Sequence, residues 1–197
     1  MKRKDLEIAL EKVLPFDSPD ASLEQYPTPS TIASDILFEA YANGDIQDKE
    51  VIDLGCGTGI FSIGASLLGA SSVKGYDISQ SAIDIAKKNA ETLNADVEFI
   101  LSDIRQVSGR ADTVMMNPPF GSQRKHADRP FLEKAMEISD SIYSIHMANT
   151  LPFLKEFVEE HGREIAACAT YKYNIPHTFT FHSKTKKEVD IIVVNVR

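Results

Sequence analysis

A predicted strand that leads directly into a glycine-rich loop constrains the fold of this chain more than any other feature. Residues 51–59 read Val-Ile-Asp-Leu-Gly-Cys-Gly-Thr-Gly, with glycine at every second position of the loop. Glycine permits a tight turn and lets the backbone approach a ligand closely. The small, apolar residues 60–70 predict a buried helix whose N-terminus points at the loop. This order of elements indicates an α/β fold with a ligand site beside the loop.

Two further predicted strands lead to acidic residues. Residues 72–76 lead to Asp77, which lies 18 residues (77 − 59) after the last loop glycine, about where ribose hydroxyls are bound in nucleotide-binding folds. The alternative role for Asp77 is to cap a helix predicted over residues 79–93. Residues 97–101 lead to Asp103, whose carboxylate would accept a hydrogen bond from an adenine amino group. An aspartate in such a position is, taken alone, more often a turn residue.

The spacing of the loop glycines indicates the class of ligand. Gly-x-Gly-x-Gly after Asp53 departs from the Gly-x-Gly-x-x-Gly of dinucleotide-binding enzymes. It resembles the S-adenosylmethionine loop of Rossmann-type methyltransferases, and this resemblance implies S-adenosyl-L-methionine as the cofactor. The cofactor-binding residues would be Asp53, Gly55, Gly57, Thr58, Gly59, Ile60, Asp77, Ile78, Asp103, Ile104 and Asn117.

The segment Asn117-Pro118-Pro119-Phe120 follows an apolar strand predicted over residues 113–116. The Asn117 side-chain oxygen and the Pro118 carbonyl can each accept one N–H of a planar amine or amide, which aims the nitrogen lone pair at an incoming methyl group. The prolines stiffen the loop, and Phe120 offers a face for stacking on a planar base. An ordinary proline-rich turn is the alternative. The cofactor motif upstream favours a catalytic site for methylating a nitrogen.

Length and composition set the outer limits of the fold. A chain with 197 residues, 43% of them hydrophobic, predicts a single domain over residues 1–197. Residues 1–29 are predicted as an N-terminal helix and a loop, and resemblance to known methyltransferases implies that this loop covers the cofactor. No stretch approaches the roughly 18 to 20 apolar residues of a membrane helix, so no membrane association is expected. Cys56 and Cys168 match neither a disulfide framework nor a metal cluster. The expected setting is a reducing, cytoplasmic one, and no metal is required.

Helices and strands are predicted in alternation along the chain. Beyond the elements already described, helices are predicted near residues 30–43, 130–140 and 151–160, a strand at 141–145, and β-rich segments at 164–171 and 188–196. About fifteen residues connect the last two segments, which suits a long hairpin connection over the active site. The alternation predicts an α/β fold with a mainly parallel sheet and an antiparallel last strand.

Five segments together resemble one family. They are residues 23–29 (Leu-Glu-Gln-Tyr-Pro-Thr-Pro), the glycine loop, 117–121 (Asn-Pro-Pro-Phe-Gly), 143–146 (Tyr-Ser-Ile-His) and 181–182 (Phe-His). They resemble the small-subunit ribosomal RNA N6-adenine methyltransferases of the methyltransferase-like protein five type. The resemblance implies a Rossmann-type class I methyltransferase with a seven-stranded sheet and helices on both faces, acting on an adenosine. It also implies that Gln25 and Thr28 close over the cofactor, although Thr28 would equally cap the next helix.

The net charge of −8 is opposite to the basic surface that usually binds RNA. The basic residues that could contact RNA form two local groups, one beside the proline-rich loop and one near the C-terminus. Solvated loops are the alternative, but the position beside the site favours phosphate contacts. The predicted contacts are Arg124, Lys125, Arg129, Lys184, Lys186 and Lys187. The acidic balance suggests that a partner supplies part of the RNA-binding surface.

The strand predicted over residues 97–101 is expected at an edge of the sheet in this fold. Val97, Phe99, Ile100 and Leu101 make that edge apolar, and an unpaired apolar edge invites strand addition or aggregation. The family resemblance implies that a small zinc-binding methyltransferase activator protein (Trm112-like) pairs along it. We therefore expect Phe99→Asp to abolish complex formation without touching cofactor residues.

Two alternative functions use the same motifs. The first is methylation of the glutamine N5 of a peptide-release factor, because those enzymes also carry Asn-Pro-Pro-aromatic. They usually have a tyrosine at the aromatic position and a sizeable helical N-terminal domain, whereas this chain has Phe120 and is not expected to have such a domain. The second is a non-enzymatic cofactor-binding scaffold for ribosome assembly. The intact Asn-Pro-Pro-Phe segment disfavours it, because a scaffold does not need two free carbonyl acceptors.

Overall fold

The computed structural model describes residues 1–121, 126–175 and 187–197, and a seven-stranded sheet lies at its centre. The strands are β1 Glu50–Leu54, β2 Ser72–Asp77, β3 Glu98–Leu101, β4 Thr113–Met116, β5 Ser141–Met147, β6 Ile165–Ile175 and β7 Lys187–Val196. Their order across the sheet is β3-β2-β1-β4-β5-β7-β6. Strands β1 to β5 pair in parallel, and β7 runs antiparallel to both of its neighbours. The predicted mainly parallel sheet with an antiparallel last strand is confirmed.

Helices cover both faces of this sheet. They are α1 Arg3–Leu10, α2 Ser30–Ala42, α3 Ile60–Leu67, α4 Gln80–Leu93, α5 Arg129–Ile138 and α6 Leu151–Glu160. One buried apolar cluster contains residues of α1 to α4, such as Leu6, and a second contains Leu132 of α5 and Leu154 of α6. Val51 and Ile52, neighbours in β1, belong to opposite clusters, as the two-residue period of a strand requires. The central strands β1 and β4 are buried at every position except Glu50 because both of their faces are covered.

Parallel pairing places the carboxyl ends of β1, β2 and β4 at one edge of the sheet. Leu54 of β1 is paired with Tyr76 of β2 on one side and with Met116 of β4 on the other. The glycine loop, the segment after β2 and the Asn-Pro-Pro-Phe segment therefore begin side by side. Gly59 ends the glycine loop in the left-handed conformation, with φ of +86°, and α3 begins at the next residue.

Strands β6 and β7 form a longer hairpin ladder than the sequence pattern indicates. The pairing runs from Ile165 opposite Val196 to Ile175 opposite Lys187. β6 therefore extends past the predicted end at residue 171, because β7 offers it a continuous antiparallel partner. The predicted long connection falls on residues 176–186, outside the described part of the chain.

Strand β3 lies at an edge of the sheet, as predicted, but its side chains do not all face outward. Leu101 is 51% exposed, whereas Phe99 is 7% exposed and packs in the core. A Cβ built on Gly59 or Gly75 would come within 3.0 Å of the Phe99 ring. The prediction that Phe99→Asp leaves the cofactor residues untouched is therefore wrong. The change would place a charge in the core directly beneath the glycine loop.

Within the described ranges, no helix combines the length and the apolar character needed to cross a membrane. Both cysteines are free thiols, with Cys56 buried in the glycine loop and Cys168 exposed on β6.

Candidate active site

Asp77, at the end of β2, orders the glycine loop. One of its carboxylate oxygens accepts from the Gly57 N–H at 2.9 Å, and the other accepts from the Ser79 N–H at 2.9 Å. Ser79 in turn caps α4, because its hydroxyl oxygen accepts from Ala82 N–H. The N-cap of α4 is therefore Ser79 and not Asp77, which accepts from the Ser79 N–H. Each carboxylate oxygen keeps a further lone pair, and Asp77 lines the cavity described below, so ribose hydroxyls can also donate to it.

Asp53, on β1 beneath the loop, is a buried carboxylate with one unused oxygen. Its Oδ2 accepts from the N–H and the hydroxyl of Ser62 at 3.0 and 2.6 Å. Its Oδ1 is buried and has no hydrogen-bond partner among the described residues. Burial raises the pKa of Asp53 to about 7, against the opposing effect of the Ser62 hydrogen bonds. Oδ1 is therefore an acceptor available to a donor group of a bound ligand.

A cavity of about 500 Å³ opens over the carboxyl ends of β1, β2 and β4. Its size suits a small-molecule site, which typically encloses roughly 300 to 1,000 Å³. The predicted cofactor residues that line it are Gln25, Thr28, Asp53, Gly55, Gly57, Thr58, Ile60, Asp77, Ile78, Asp103, Ile104 and Asn117. Gly59 is not among the lining residues; it is the N-cap residue of α3. Sequence reasoning missed the aromatic lining residues Phe16, Tyr26, Phe61 and Phe131, because an isolated aromatic residue gives no signal that separates a cavity wall from the core.

Asp103 lies on the rim of the cavity and is paired with Arg105. Its Oδ1 accepts from the Arg105 N–H and Nε at 2.9 and 3.0 Å, and its Oδ2 accepts from Nη2 at 2.5 Å. The side-chain hydrogen bonds from Arg105 lower the pKa of Asp103 to about 2, so it is an anion at neutral pH. Arg105 also lines the cavity, and sequence reasoning missed it.

Asn117, the first residue after β4, has a side-chain amide of which one end is bonded within the described part of the chain and the other is not. Its Nδ2 donates to Oγ1 of Thr28 at 3.0 Å, and its Oδ1 is buried with no hydrogen-bond partner among the described residues. Asn117 and Pro119 both line the cavity, whereas Pro118 is buried and does not. The amide therefore presents one free acceptor beside the cofactor residues.

The N-terminal segment of residues 20–29 lies against the catalytic loop. Oε2 of Glu24 accepts from the Phe120 N–H at 2.7 Å, and the Tyr173 hydroxyl donates to the Pro27 carbonyl at 3.0 Å. Glu24 is 8% exposed and has a φ of +51°, an uncommon conformation for a residue other than glycine. Phe120 is half-buried against the core and does not line the cavity. Sequence reasoning missed Glu24, which fixes the end of the Asn-Pro-Pro-Phe segment.

One of the predicted RNA contacts can be placed. The Arg129 guanidinium carbon lies 4.7 Å from the centre of the Phe153 ring, an arrangement typical of a cation–π contact. Its Nε is buried and has no hydrogen-bond partner in the described ranges. The predictions for Arg124, Lys125, Lys184 and Lys186, and for the side chain of Lys187, fall outside the described residues.

The Tyr-Ser-Ile-His segment lies on β5 and is buried. The Tyr143 hydroxyl donates to Asp45 Oδ2 at 2.6 Å. The Ser144 hydroxyl contacts His146 Nε2 at 2.6 Å, and His146 Nδ1 lies 3.4 Å from Asp128 Oδ2. Asp128 directly precedes α5, so the segment connects β5 to the turn that follows the catalytic loop. Ser144 is fully buried, which excludes it as a nucleophile that meets substrate.

Sequence comparison places the chain in a family. Residues 31–141, more than half of its length, match the model of the methyltransferase small domain. The chain belongs to this methyltransferase family.

Individual relatives agree with this assignment. The rRNA N(6)-adenosine-methyltransferase METTL5 of Danio rerio is 36% identical, over 100% of this chain and 98% of that protein. The crystal structure of a candidate RNA methyltransferase from Pyrococcus horikoshii has a TM-score of 0.93 at 43% identity, and covers 100% of this chain and 97% of that chain. The Synechocystis magnesium protoporphyrin IX methyltransferase, solved with bound S-adenosylmethionine, shares the fold at 19% identity, with a TM-score of 0.69 over 84% of this chain and 78% of that chain.

The donor and acceptor groups of the cavity fit S-adenosylmethionine. Asp77 can accept from ribose hydroxyls, Asp53 Oδ1 can accept from the ammonium of the methionine part, and Ile104 offers an apolar contact for the adenine ring. A side chain at position 57 would crowd the cavity wall, because its Cβ would lie 3.1 Å from the ring of Phe16, which lines the cavity. The chain is an S-adenosylmethionine-dependent methyltransferase of the Rossmann-type class I fold.

We expect Asp77→Ala to weaken S-adenosylmethionine binding strongly, because the variant loses the ribose acceptor and the support of the Gly57 N–H. Hydrogen bonds to a charged group contribute about 1.5 to 3 kcal/mol. Calorimetric titration with the cofactor measures the loss. Ser79→Ala is the matched control, since it removes the α4 cap and leaves the carboxylate in place. Equal affinity in the Asp77→Ala and native proteins would show that Asp77 only supports structure.

The raised pKa of Asp53 predicts a stability that falls as pH rises. Between its ordinary value of 3.8 and about 7, the folded state keeps a proton that the unfolded state has lost. The free energy of unfolding should therefore decrease across that window and level off above it. Urea unfolding of the native protein and of Asp53→Asn, from about pH 5 to about pH 8, isolates this contribution. A stability difference between the two that does not change with pH would contradict the assignment.

Proposed function

We propose that this methyltransferase methylates N6 of an adenosine in small-subunit ribosomal RNA. The observation that carries the proposal is the Asn117 Oδ1, a buried acceptor without a partner, in a residue that lines the cofactor cavity. An exocyclic amino group is a donor that such an oxygen recognises. The Danio rerio relative, an rRNA N(6)-adenosine-methyltransferase that aligns over the whole chain, supports ribosomal RNA as the substrate. In this proposal residues 1–197 form a single catalytic domain.

The mechanism uses acceptors to position a weak nucleophile. S-adenosylmethionine supplies the methyl group as an electrophile. Asn117 Oδ1 accepts one N–H of the adenine amine, and we assign the other to the carbonyl of Pro118, a buried residue that does not itself line the cavity. The two acceptors would direct the lone pair of the amine toward the methyl group. No general base is required, because the methylated ammonium is acidic enough to release its proton to water. Positioning and electrostatics supply the rate.

The target base must leave its stack to reach the cavity. An adenosine that is flipped out, or already single-stranded, meets this requirement at a small energetic cost. The exposed part of the half-buried Phe120 ring provides a stacking face. Phosphate contacts would come from Arg129 and from the basic residues outside the described ranges. We place this activity in the cytoplasm.

A pair of methylation assays distinguishes the proposed function from its two alternatives. The purified chain is supplied with labelled S-adenosylmethionine and, in separate reactions, with ribosomal RNA and with a peptide-release factor. Label in N6-methyladenosine supports the proposal, and label in methylglutamine supports the glutamine N5-methyltransferase. Cofactor binding without transfer to either substrate would indicate a scaffold.

We expect Asn117→Ala to remove methyl transfer and to leave cofactor binding nearly intact. Loss of an aimed hydrogen-bonding group of this kind typically costs about 10² to 10³ in rate. Asn117→Asp is the matched variant, because it keeps an oxygen at the same place and should retain more activity than alanine. Transfer rates at saturating cofactor, together with calorimetric affinities, provide the measurement. An Asn117→Ala variant that no longer binds S-adenosylmethionine would defeat the assignment.

We also propose that a small zinc-binding activator protein pairs with the free edge of β3. The Ser102 N–H donates to the Asp77 carbonyl at 2.9 Å, which directs the backbone groups of Ser102 toward β2. Because these groups alternate along a strand, those of Phe99 and Leu101 point away from β2. A strand from a partner can be added through such groups, and the partner could offset the charge of −8 during RNA binding.

We expect Leu101→Pro to weaken binding of the activator at least about tenfold, because it removes an outward N–H and distorts the edge geometry. The pairing with β2 should survive, since proline is tolerated where an edge strand faces solvent. Leu101→Thr is the control, because it changes the same exposed side chain and keeps the N–H. Calorimetric titration with the activator measures both variants. Native affinity in Leu101→Pro would exclude pairing at this position.

A further inference from the structure

We propose that Thr28 is a positioning residue that fixes the orientation of the Asn117 side-chain amide. This inference rests on the proposed function, in which Asn117 Oδ1 accepts a hydrogen bond from the target amine. Thr28 lies 89 positions before Asn117 in the sequence, yet the two side chains are joined by a 3.0 Å hydrogen bond. Both residues line the cofactor cavity.

An amide side chain has two unlike ends, and only one of them suits a target amine. With Nδ2 bound to Thr28, the Oδ1 acceptor is left without a partner. A rotation of about 180° about the last side-chain bond would exchange the two ends, because that torsion is roughly two-fold. The NH₂ group would then face the N–H groups of the target, and the Asn117 acceptor would be lost. The hydrogen bond that Thr28 Oγ1 accepts from Nδ2 therefore belongs to the productive orientation.

The Thr28 hydroxyl is itself held in place. Thr28 lies between Pro27 and Pro29, whose rings restrict the backbone on either side of it. The carbonyl of Pro27 accepts a hydrogen bond from the Tyr173 hydroxyl at 3.0 Å. Pro29 is the residue at which α2 is capped, so the helix fixes the other side. The acceptor that orients Asn117 is thus attached to the sheet and to α2.

A hydroxyl that accepts from Asn117 still has its own hydrogen to donate. Because Thr28 lines the cavity, an acceptor on the bound cofactor can take that hydrogen. A donation toward the cofactor leaves only lone pairs of Oγ1 facing Asn117, which excludes the reversed amide. The same atom, Thr28 Oγ1, would therefore donate to the cofactor and accept from the Asn117 amide. Thr28 would thus orient Asn117 in addition to lining the cofactor site.

Nuclear magnetic resonance tests the orientation without any RNA. In protein labelled with ¹⁵N, the Asn117 side-chain NH₂ pair is assigned by its loss in Asn117→Ala. Thr28→Val removes the hydroxyl at nearly constant volume, and Thr28→Ser keeps it. We expect Thr28→Val to shift or broaden the Asn117 pair, and Thr28→Ser to leave it close to the native position. Native resonances in Thr28→Val would overturn the proposal.

Kinetics separates positioning from cofactor contact. We expect Thr28→Val to lower kcat at saturating S-adenosylmethionine by about tenfold or more, which corresponds to the loss of one hydrogen bond. Thr28→Ser should stay within about threefold of the native kcat. A higher cofactor Kd with unchanged kcat would show that Thr28 only binds the cofactor. Equal loss in the serine and valine variants would show that the hydroxyl is not the cause.

Tyr173→Phe controls for a general loosening of the segment. It removes the hydrogen bond to Pro27 and leaves the Thr28 hydroxyl present, so the Asn117 resonances should move less than in Thr28→Val. If the Asn117 resonances moved as far in Tyr173→Phe as in Thr28→Val, the cause would be a general loosening of residues 20–29. That result would overturn the proposal. Failure of the proposed function would be distinguishable, because the native protein would then transfer no methyl group to ribosomal RNA while the resonance test still gave its answer.

Discussion

Parallel pairing of β1 with β2 and with β4 is the constraint on which the rest of the site depends. It brings to one edge of the sheet Asp53, Asp77 and Asn117, which are far apart in the sequence. A slip of one residue in either pairing would send the buried side chains to the opposite face of the sheet. The register is protected because both faces of β1 are buried in separate apolar clusters. The apolar core therefore fixes the chemistry as well as the stability.

Two buried side-chain oxygen atoms of the site accept no hydrogen bond from the described part of the protein. Asp53 Oδ1 and Asn117 Oδ1 lack hydrogen-bond partners among the described residues, and an unsatisfied buried group costs about 1 to 3 kcal/mol. A ligand that donates to these atoms recovers that free energy on binding. Under the proposed function, the interaction recovered at Asn117 would form at the reacting nitrogen, where it would contribute to catalysis as well as to affinity. Unpaired buried acceptors in one cavity are thus a stronger functional signal than the cavity itself.

The sequence predicted those features whose cause is local. The order of helices and strands follows from apolar periodicity, and the cofactor loop follows from glycine spacing. Glu24 was missed because its role depends on a contact made in the folded chain, the bond from the Phe120 N–H across 96 positions. Arg105 bonds to Asp103 only two residues away, but its sequence position gave no sign that the pair lines the cavity. The error over Phe99 has another cause. The edge position of β3 determines where its backbone groups point, but alternate side chains of an edge strand still face the core.

Residues 20–29 connect the cofactor side of the cavity with its catalytic side. Gln25 and Thr28 line the cavity, and Glu24 and Thr28 hold the two ends of the Asn-Pro-Pro-Phe segment. A segment that only covered the cofactor would need shape but no such pairing with the catalytic loop. Because its hydrogen bonds reach both Asn117 and the Phe120 N–H, displacing the segment would disturb the geometry of the Asn117 acceptor. Under the proposed function, closure over the cofactor and alignment of the substrate amine would therefore be coupled through residues 20–29.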